Sequence, residues 1–359
     1  MTRHLLVAIS PHGLGHAMPT VAVLNALRHV LPELSLTLMT RLPRAAFVER
    51  LQGPFEIIDH GAEFGMHMDG PLDVKVQASA EGYAALIEDW DNLVAQEADV
   101  IRRATPDLVL SNISFLAIAG AKAAGVPVAA LCSFNWLDVF GAYCGDLTGA
   151  PAIMEHLQGA YAGADIFLRA SPGTAMDELT NTRVIGPIGS VGTARRDAID
   201  KELQLSSSQR LVIADLGGIA GGDLADRLPV VDKVHWLLPG AVPDQRADIS
   251  STSTPAMPYI DVLASADAVV TKPGYGTFIE AAANATRVLY AARGVWPEEP
   301  HMCPWINDQA CAAEISRSSL EGGTFVDDLQ ALLARRMATA VSPAGNEQAA
   351  KVLRKMLEV

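Results

Sequence analysis

The feature that most constrains this chain is a repeated three-part pattern. A short, continuously apolar run is followed by a turn rich in glycine or proline, then by a stretch with helical spacing. Leu5–Ile9 opens the series, followed by Pro11-His12-Gly13-Leu14-Gly15-His16 and a helix from about Pro19 to His29 that sets Val21, Leu24 and Leu27 on one face. Runs at Leu36–Met39, Glu56–Ile58, Leu108–Leu110 and Val128–Leu131 continue it, with helices expected over Tyr83–Ala104 and Ala117–Ala124. Strands apolar on both faces need cover on both faces, and the alternating helices supply it, so the pattern specifies a parallel sheet. A second series runs through Arg210–Ala214, Lys233–Leu238, Ala268–Thr271 and Arg287–Tyr290. Gly186-Pro187-Ile188-Gly189 punctuates the two. The expected architecture is α/β: two Rossmann-like, doubly wound parallel-sheet domains, residues 1–185 and 186–359, facing a cleft. Between the strands, Ser190–Gln209 reads as a linker followed by a charged helix and the Ser/Thr-rich stretch Ala247–Pro255 as a surface loop. The last helix, Gly345–Leu357, carries an apolar stripe and is expected to pack back on the first domain.

Charge narrows the partners. The formal net charge is −14 over 359 residues, and a surface that acidic repels nucleic acid and anionic membrane. Any phosphate must then be held by local backbone N–H groups and a few well-placed cations. Cys132, Cys144, Cys303 and Cys311 form no C-x-x-C pair and no metal-ligand spacing, and read as reduced thiols of a cytoplasmic protein. The N-terminal apolar run is broken at once by Pro11-His12-Gly13, so it is not a signal peptide, and no apolar stretch is long enough to span a bilayer.

Open α/β sheets bind ligands at the C-terminal ends of their strands, and the chemically suggestive residues fall there. Leu216-Gly217-Gly218 begins a glycine-rich turn after Leu211–Ala214, where backbone N–H groups can approach a phosphate or simply make a tight turn. Thr271-Lys272-Pro273-Gly274-Tyr275-Gly276-Thr277 ends a strand and starts a helix, offering N–H and hydroxyl groups to a pyrophosphate. Glu280, one turn in, is placed to bridge two ribose hydroxyls or is an incidental helix residue. The stretch is neither a P-loop nor G-x-G-x-x-G. His12 and His16 flank Gly13 and Gly15 in the first loop, and either can act as a general base or merely cap the helix. With no third ligand in view they are not a metal pair. Glu298 and Glu299 can accept hydrogen bonds from sugar hydroxyls or belong to a solvated loop. Asn135, Trp136 and Asp138 combine an aromatic ring with amide and carboxylate groups, which suits carbohydrate stacking as well as plain core packing.

Taken together, these motifs resemble the GT-B glycosyltransferases, including the UDP-glycosyltransferases and the inverting enzyme that adds N-acetylglucosamine in peptidoglycan synthesis. They are most similar to the glycosyltransferase-like half of L-arabinokinases. The residues that carry the resemblance are Pro11-His12-Gly13-Leu14-Gly15-His16, with Pro11 where the family has glycine, then Asn135-Trp136-Leu137-Asp138, Lys272-Pro273-Gly274-Tyr275-Gly276-Thr277 with Glu280, and Glu298-Glu299-Pro300. The resemblance implies a UDP-sugar-like donor held by the second domain without metal or other cofactor. Glu280 would hold the ribose, Gly218, Gly274, Gly276 and Thr277 the phosphates, and Glu299 the sugar, with His16 near the reaction centre. The expected activity is inverting transfer to a hydroxyl acceptor, with growing charge on the leaving group stabilised by Lys272 and helix N-termini. A non-catalytic nucleotide-sugar sensor and a sugar-nucleotide epimerase are the alternatives.

Overall fold

The structure is a computed structural model of the chain, and it describes residues 2–10, 14–70, 72–217, 224–243 and 245–358. In the first domain, strands β1 (His4–Ile9), β2 (Ser35–Met39), β3 (Glu56–Ile58), β6 (Leu108–Asn112), β7 (Val128–Cys132), β8 (Ile166–Ala170) and β9 (Thr182–Ile185) form one sheet. Its order is β3-β2-β1-β6-β7-β8-β9 and every pairing is parallel. The short pair β4 (Met68–Asp69) and β5 (Asp73–Val74) makes a small antiparallel hairpin beside it. The second domain carries β10 (Arg210–Asp215), β11 (Val234–Leu238), β12 (Ile249–Ser251), β13 (Ala268–Thr271), β14 (Arg287–Tyr290) and β15 (Ala312–Glu314). These follow the order β12-β11-β10-β13-β14-β15, again all parallel. β6, β7, β11, β13 and β14 are buried at every position, as strands covered by helices on both faces must be.

Each sheet winds outward from its first strand, then crosses to that strand's other side. The reversal lies between β1 and β6 in one domain and between β10 and β13 in the other. At such a switch point the connecting loops diverge and leave a crevice above the strand ends. The two switch points are therefore where each domain is expected to take a ligand.

Local chemistry moved several boundaries away from the sequence expectation. The stretch Tyr83–Ala104 belongs to two helices, Val76–Glu88 and Trp90–Ala104, which meet at Asp89, where the backbone leaves helical geometry (φ −103°, ψ 16°) and the carboxylate accepts from the Asn92 side-chain amide (3.2 and 3.0 Å). The opening helix runs from Leu14 to Val30 with Pro19 inside it. The carbonyl that Pro19 cannot pair belongs to Gly15, which is exposed to water. Within Ala247–Pro255 the structure corrects the loop reading, since Ile249–Ser251 pairs with β11 at the sheet edge. A three-residue edge strand that buries a single isoleucine has the composition of a loop.

The terminal helix Gly345–Leu357 lies against the opening helix and buries Ala349, Ala350, Val352, Leu353 and Leu357. It also pins the segment between the domains: Gly345 N donates to Pro187 O (2.9 Å), Gly186 N to Gln348 Oε1 (2.7 Å), and Asn346 Nδ2 to Gly189 O (2.8 Å). A Cβ on Gly345 would overlap the Gly186 carbonyl and come within 2.7 Å of Ile188 Cγ2. Gly345→Ala should therefore destabilise the fold by about 1–3 kcal/mol, seen as a lower denaturation midpoint. An unchanged midpoint would show that the segment shifts freely.

Candidate functional site

The crevice of the first domain is built around His16. Its ring is buried, and Nδ1 lies 3.0 Å from Asn112 Oδ1 at the end of β6. Asn112 Nδ2 donates to Thr20 Oγ1 (2.7 Å), and Thr20 Oγ1 donates to the His16 carbonyl (2.7 Å). Donor logic around this ring fixes the imidazole. A backbone carbonyl only accepts, so the threonine proton points to it, and the asparagine must present its NH2 to the hydroxyl. Its oxygen then faces the histidine, so Nδ1 carries a proton and, in the neutral ring, Nε2 carries the lone pair. This is the tautomer a general base at Nε2 requires.

Rings wall the imidazole. Phe134 lies 5.5 Å and Trp136 5.8 Å from it, and Phe134 packs edge-on against Trp136 at 5.2 Å. Trp136 is fully buried, so it offers no face for a sugar to stack on and instead backs the site. Asn135 caps its helix, Trp136–Cys144, by accepting from Asp138 N (2.8 Å). Burial raises the Asp138 carboxyl above its usual range. Gly15 is exposed with open space beside it, whereas His12 lies outside the described residues. Thr20 and Asn112 are members of this site that sequence reasoning did not name. The one signal Asn112 carried is its place just after the apolar run Leu108–Leu110, at a strand's C-terminal end, where open α/β sheets bind ligands.

The second crevice gathers most of the candidate donor residues. Gly217 has φ +59°, a left-handed geometry that suits glycine, and its N–H donates to Asp215 Oδ1 (2.9 Å). A Cβ on it would sit 3.4 Å from Lys272 Cε, so the loops after β10 and β13 converge. Gly218 lies outside the described residues. Lys272 is half-buried and has no ion-pair partner among the described residues. Burial first, and then the nearby Arg293 charge, lower its ammonium to about 8, against the opposing pull of Asp215 and Glu299. Gly274 is the N-cap of the helix Tyr275–Ala283 and makes no side-chain cap, so the first-turn N–H groups, including those of Gly276 and Thr277, face outward from a helix N-terminus. No atom would crowd a Cβ at Gly276, which leaves room above that turn.

Tyr275 turns away from this crevice. Its hydroxyl accepts from Ile188 N (3.0 Å) and donates to Ser171 O (3.2 Å), joining the interdomain segment to the first domain. Glu280 is buried and accepts from Ser190 N at 3.4 Å. Burial pushes its carboxyl up to about 7, a shift opposed by the Ser190 hydrogen bonds and the Arg50 charge of the first domain. Glu298 reaches across the cleft, accepting from Ser133 Oγ (2.6 Å) at one oxygen and from Trp296 Nε1 (3.0 Å) at the other. Its carboxyl is raised by burial. Glu299 is held within its own loop, accepting from Arg293 N (3.1 Å), Arg293 Nε (2.9 Å) and Gly294 N (2.8 Å). Among the described residues no group of three His, Cys, Asp or Glu side chains could hold a metal ion. No described helix is long and apolar enough to cross a membrane.

Two parallel-sheet α/β domains with a strand-end crevice on each define the GT-B fold. Comparisons with known proteins agree. No family model matches the chain. L-arabinokinase of Arabidopsis thaliana is 22% identical over 365 residues, an alignment that takes in 98% of this chain and 34% of that protein, so the chain spans about a third of its length. CalG4, the calicheamicin glycosyltransferase, superposes with a TM-score of 0.63 at 17% identity, covering 99% of this chain and 98% of that one. UGT89C1 of Arabidopsis thaliana, solved with UDP, gives 0.61 at 13% identity with both chains fully covered. A Listeria monocytogenes protein described as a UDP-N-acetylglucosamine 2-epimerase gives 0.60 at 14% identity, covering 100% and 96%.

Proposed function

We propose that this protein is an inverting glycosyltransferase that takes a UDP-sugar-like donor in the second domain and a hydroxyl acceptor beside His16. The observation that carries the reading is the pairing of two switch-point sites with complementary chemistry. One holds a cation beside glycine-rich turns and a helix N-terminus, and the other holds an imidazole whose Nε2 bears the lone pair.

In the proposed reaction the acceptor O–H gives its proton to His16 Nε2 while its oxygen forms a bond to C1 of the sugar. The bond from C1 to the phosphate oxygen breaks, UDP leaves with the electron pair, and attack from the opposite face inverts C1. Lys272 and the amides of Gly276 and Thr277 stabilise the growing charge on the diphosphate. Glu280 accepts from the ribose hydroxyls. The donor is a substrate, and the reading calls for no cofactor. Four free thiols suit a reducing compartment, the cytoplasm.

Calorimetry with UDP and UDP-glucose in the presence of a chelator, and a UDP-release assay over a panel of hydroxyl acceptors, test this reading. Failure to bind any UDP compound would remove it. Tight binding without turnover on any acceptor would leave a nucleotide-sugar sensor. The Listeria likeness makes an epimerase the other outcome to check, by analysing products from UDP-N-acetylglucosamine alone.

A pH dependence follows from the two perturbed groups. Glu280 loses its charge as pH falls through about 7, and Lys272 loses its charge as pH rises through about 8. Affinity for UDP-glucose, whose pyrophosphate diester does not titrate in this range, should peak between these values and fall on both sides. A flat profile from pH 6 to 9 would disconnect both residues from the donor.

A further inference from the structure

Arg293 lies on the loop after β14, next to the strand that delivers Lys272. Its side chain is 6% exposed, as is that of Glu299, and the two pair at 2.9 Å. Nη2 donates to Pro273 O (2.9 Å), inside the turn that starts the helix Tyr275–Ala283, and the guanidinium plane lies 4.3 Å over the Trp296 ring. Every part of the group is thus held except Nη1, which makes no hydrogen bond among the described residues. A buried guanidinium with one end clamped and one nitrogen unused is the arrangement of a cation waiting for an oxyanion.

Its surroundings say where that anion would lie. The Pro273 contact places the guanidinium against the helix N-terminus at Gly274, and Lys272 is near enough for the two positive charges to oppose each other. Glu299 pairs with Arg293 and Asp215 pulls on Lys272, and the adjacent helix N-terminus adds to a field that favours a further anion beside the two cations. Glu299, meanwhile, spends both oxygens on residues 293 and 294, so its carboxylate is oriented toward its own loop.

Resting on the donor reading above, we infer that Arg293 is a second cation of the diphosphate site, and that Glu299 is a positioning residue that aims Arg293 and does not itself read the sugar. The two assignments give opposite signatures. A carboxylate that contacts the sugar matters for UDP-glucose and is silent for UDP, whereas one that aims a phosphate-binding arginine matters equally for both.

The test is calorimetric titration of the full chain with UDP, UDP-glucose and uridine. Arg293→Ala should weaken UDP and UDP-glucose by about tenfold or more and leave uridine unchanged, with Arg293→Lys restoring part of the loss. Glu299→Gln should weaken UDP and UDP-glucose by the same factor. Because Arg293→Ala leaves a buried carboxylate unpaired, the double variant Arg293→Gln with Glu299→Gln covers a folding failure and should show the same selective loss. Unchanged UDP affinity in these variants overturns the inference, as does a Glu299→Gln loss confined to UDP-glucose. In both of those outcomes the wild type still binds UDP and the donor reading stands. A wild type that binds no UDP overturns the donor reading, and the inference with it.

Discussion

His16→Ala is expected to lower turnover by about 10²–10⁴ in the UDP-release assay while leaving the affinity for UDP largely intact. The size of the effect follows from the removal of the proton acceptor, and its selectivity follows from position. His16 opens the first-domain helix above β1, while the residues proposed to hold the nucleotide lie above β10 and β13. Asn112→Leu provides the companion result. It removes the acceptor that holds the proton on Nδ1, so part of the population should switch to the tautomer with the proton on Nε2. Turnover should fall by less than in His16→Ala, with the Michaelis constant for the donor unchanged. If His16→Ala retains full turnover in an active enzyme, the base lies elsewhere, and Asp138 is the next residue to replace. Full activity in Asn112→Leu with loss in His16→Ala would mean that the tautomer is set by another contact.

Glu280→Gln is expected to act in opposite directions on binding and on stability. A carboxylate accepting from ribose hydroxyls makes charge-assisted bonds, and its loss should cost about 1.5–3 kcal/mol of donor affinity, roughly ten- to hundredfold. Without donor the same carboxylate is a burden. Its carboxyl stands near 7 in the folded chain because of burial, against 4.5 ordinarily. The folded state therefore holds a proton that the unfolded chain has released, and stability falls as pH rises from about 4.5 to about 7, then stays lowered above it. The cost at pH 8 is on the order of 3 kcal/mol. Glu280→Gln removes that cost, so the variant without ligand should melt higher than the wild type at pH 8 and show little difference near pH 4. Equal melting at pH 8 would mean that Glu280 is solvated in the folded state. An unchanged donor affinity would take it out of the site.

The sequence expectation was strongest where chemistry is local. β1, β6, β7, β10, β13 and β14 were legible as unbroken apolar runs, because a strand covered on both faces leaves no polar position to obscure it. β8 was not read, and it carries Arg169, whose guanidinium turns to the carbonyls of Thr174 and Ala175 and interrupts the apolar pattern. β9 and β15 are short and sit at sheet edges, where outward positions are polar. Among candidate site residues, Lys272, Gly274 and His16 stood out because each lies on or beside a glycine-rich turn after an apolar run.

What the sequence determined by itself was therefore the existence of two parallel-sheet domains and the loops on which their ligands would be sought, since periodicity and turn chemistry are written in neighbouring residues. What only the tertiary structure decided was which side chains meet. His16 and Asn112 are 96 positions apart, and they touch because strand order brings β6 beside β1. Ser133 and Glu298 are separated by 165 and join across the cleft. Tyr275, in the middle of the donor motif, turns to the interdomain segment, and Glu299 turns to Arg293. Strand order and domain apposition are set by the packing of whole layers, which no local window of residues encodes.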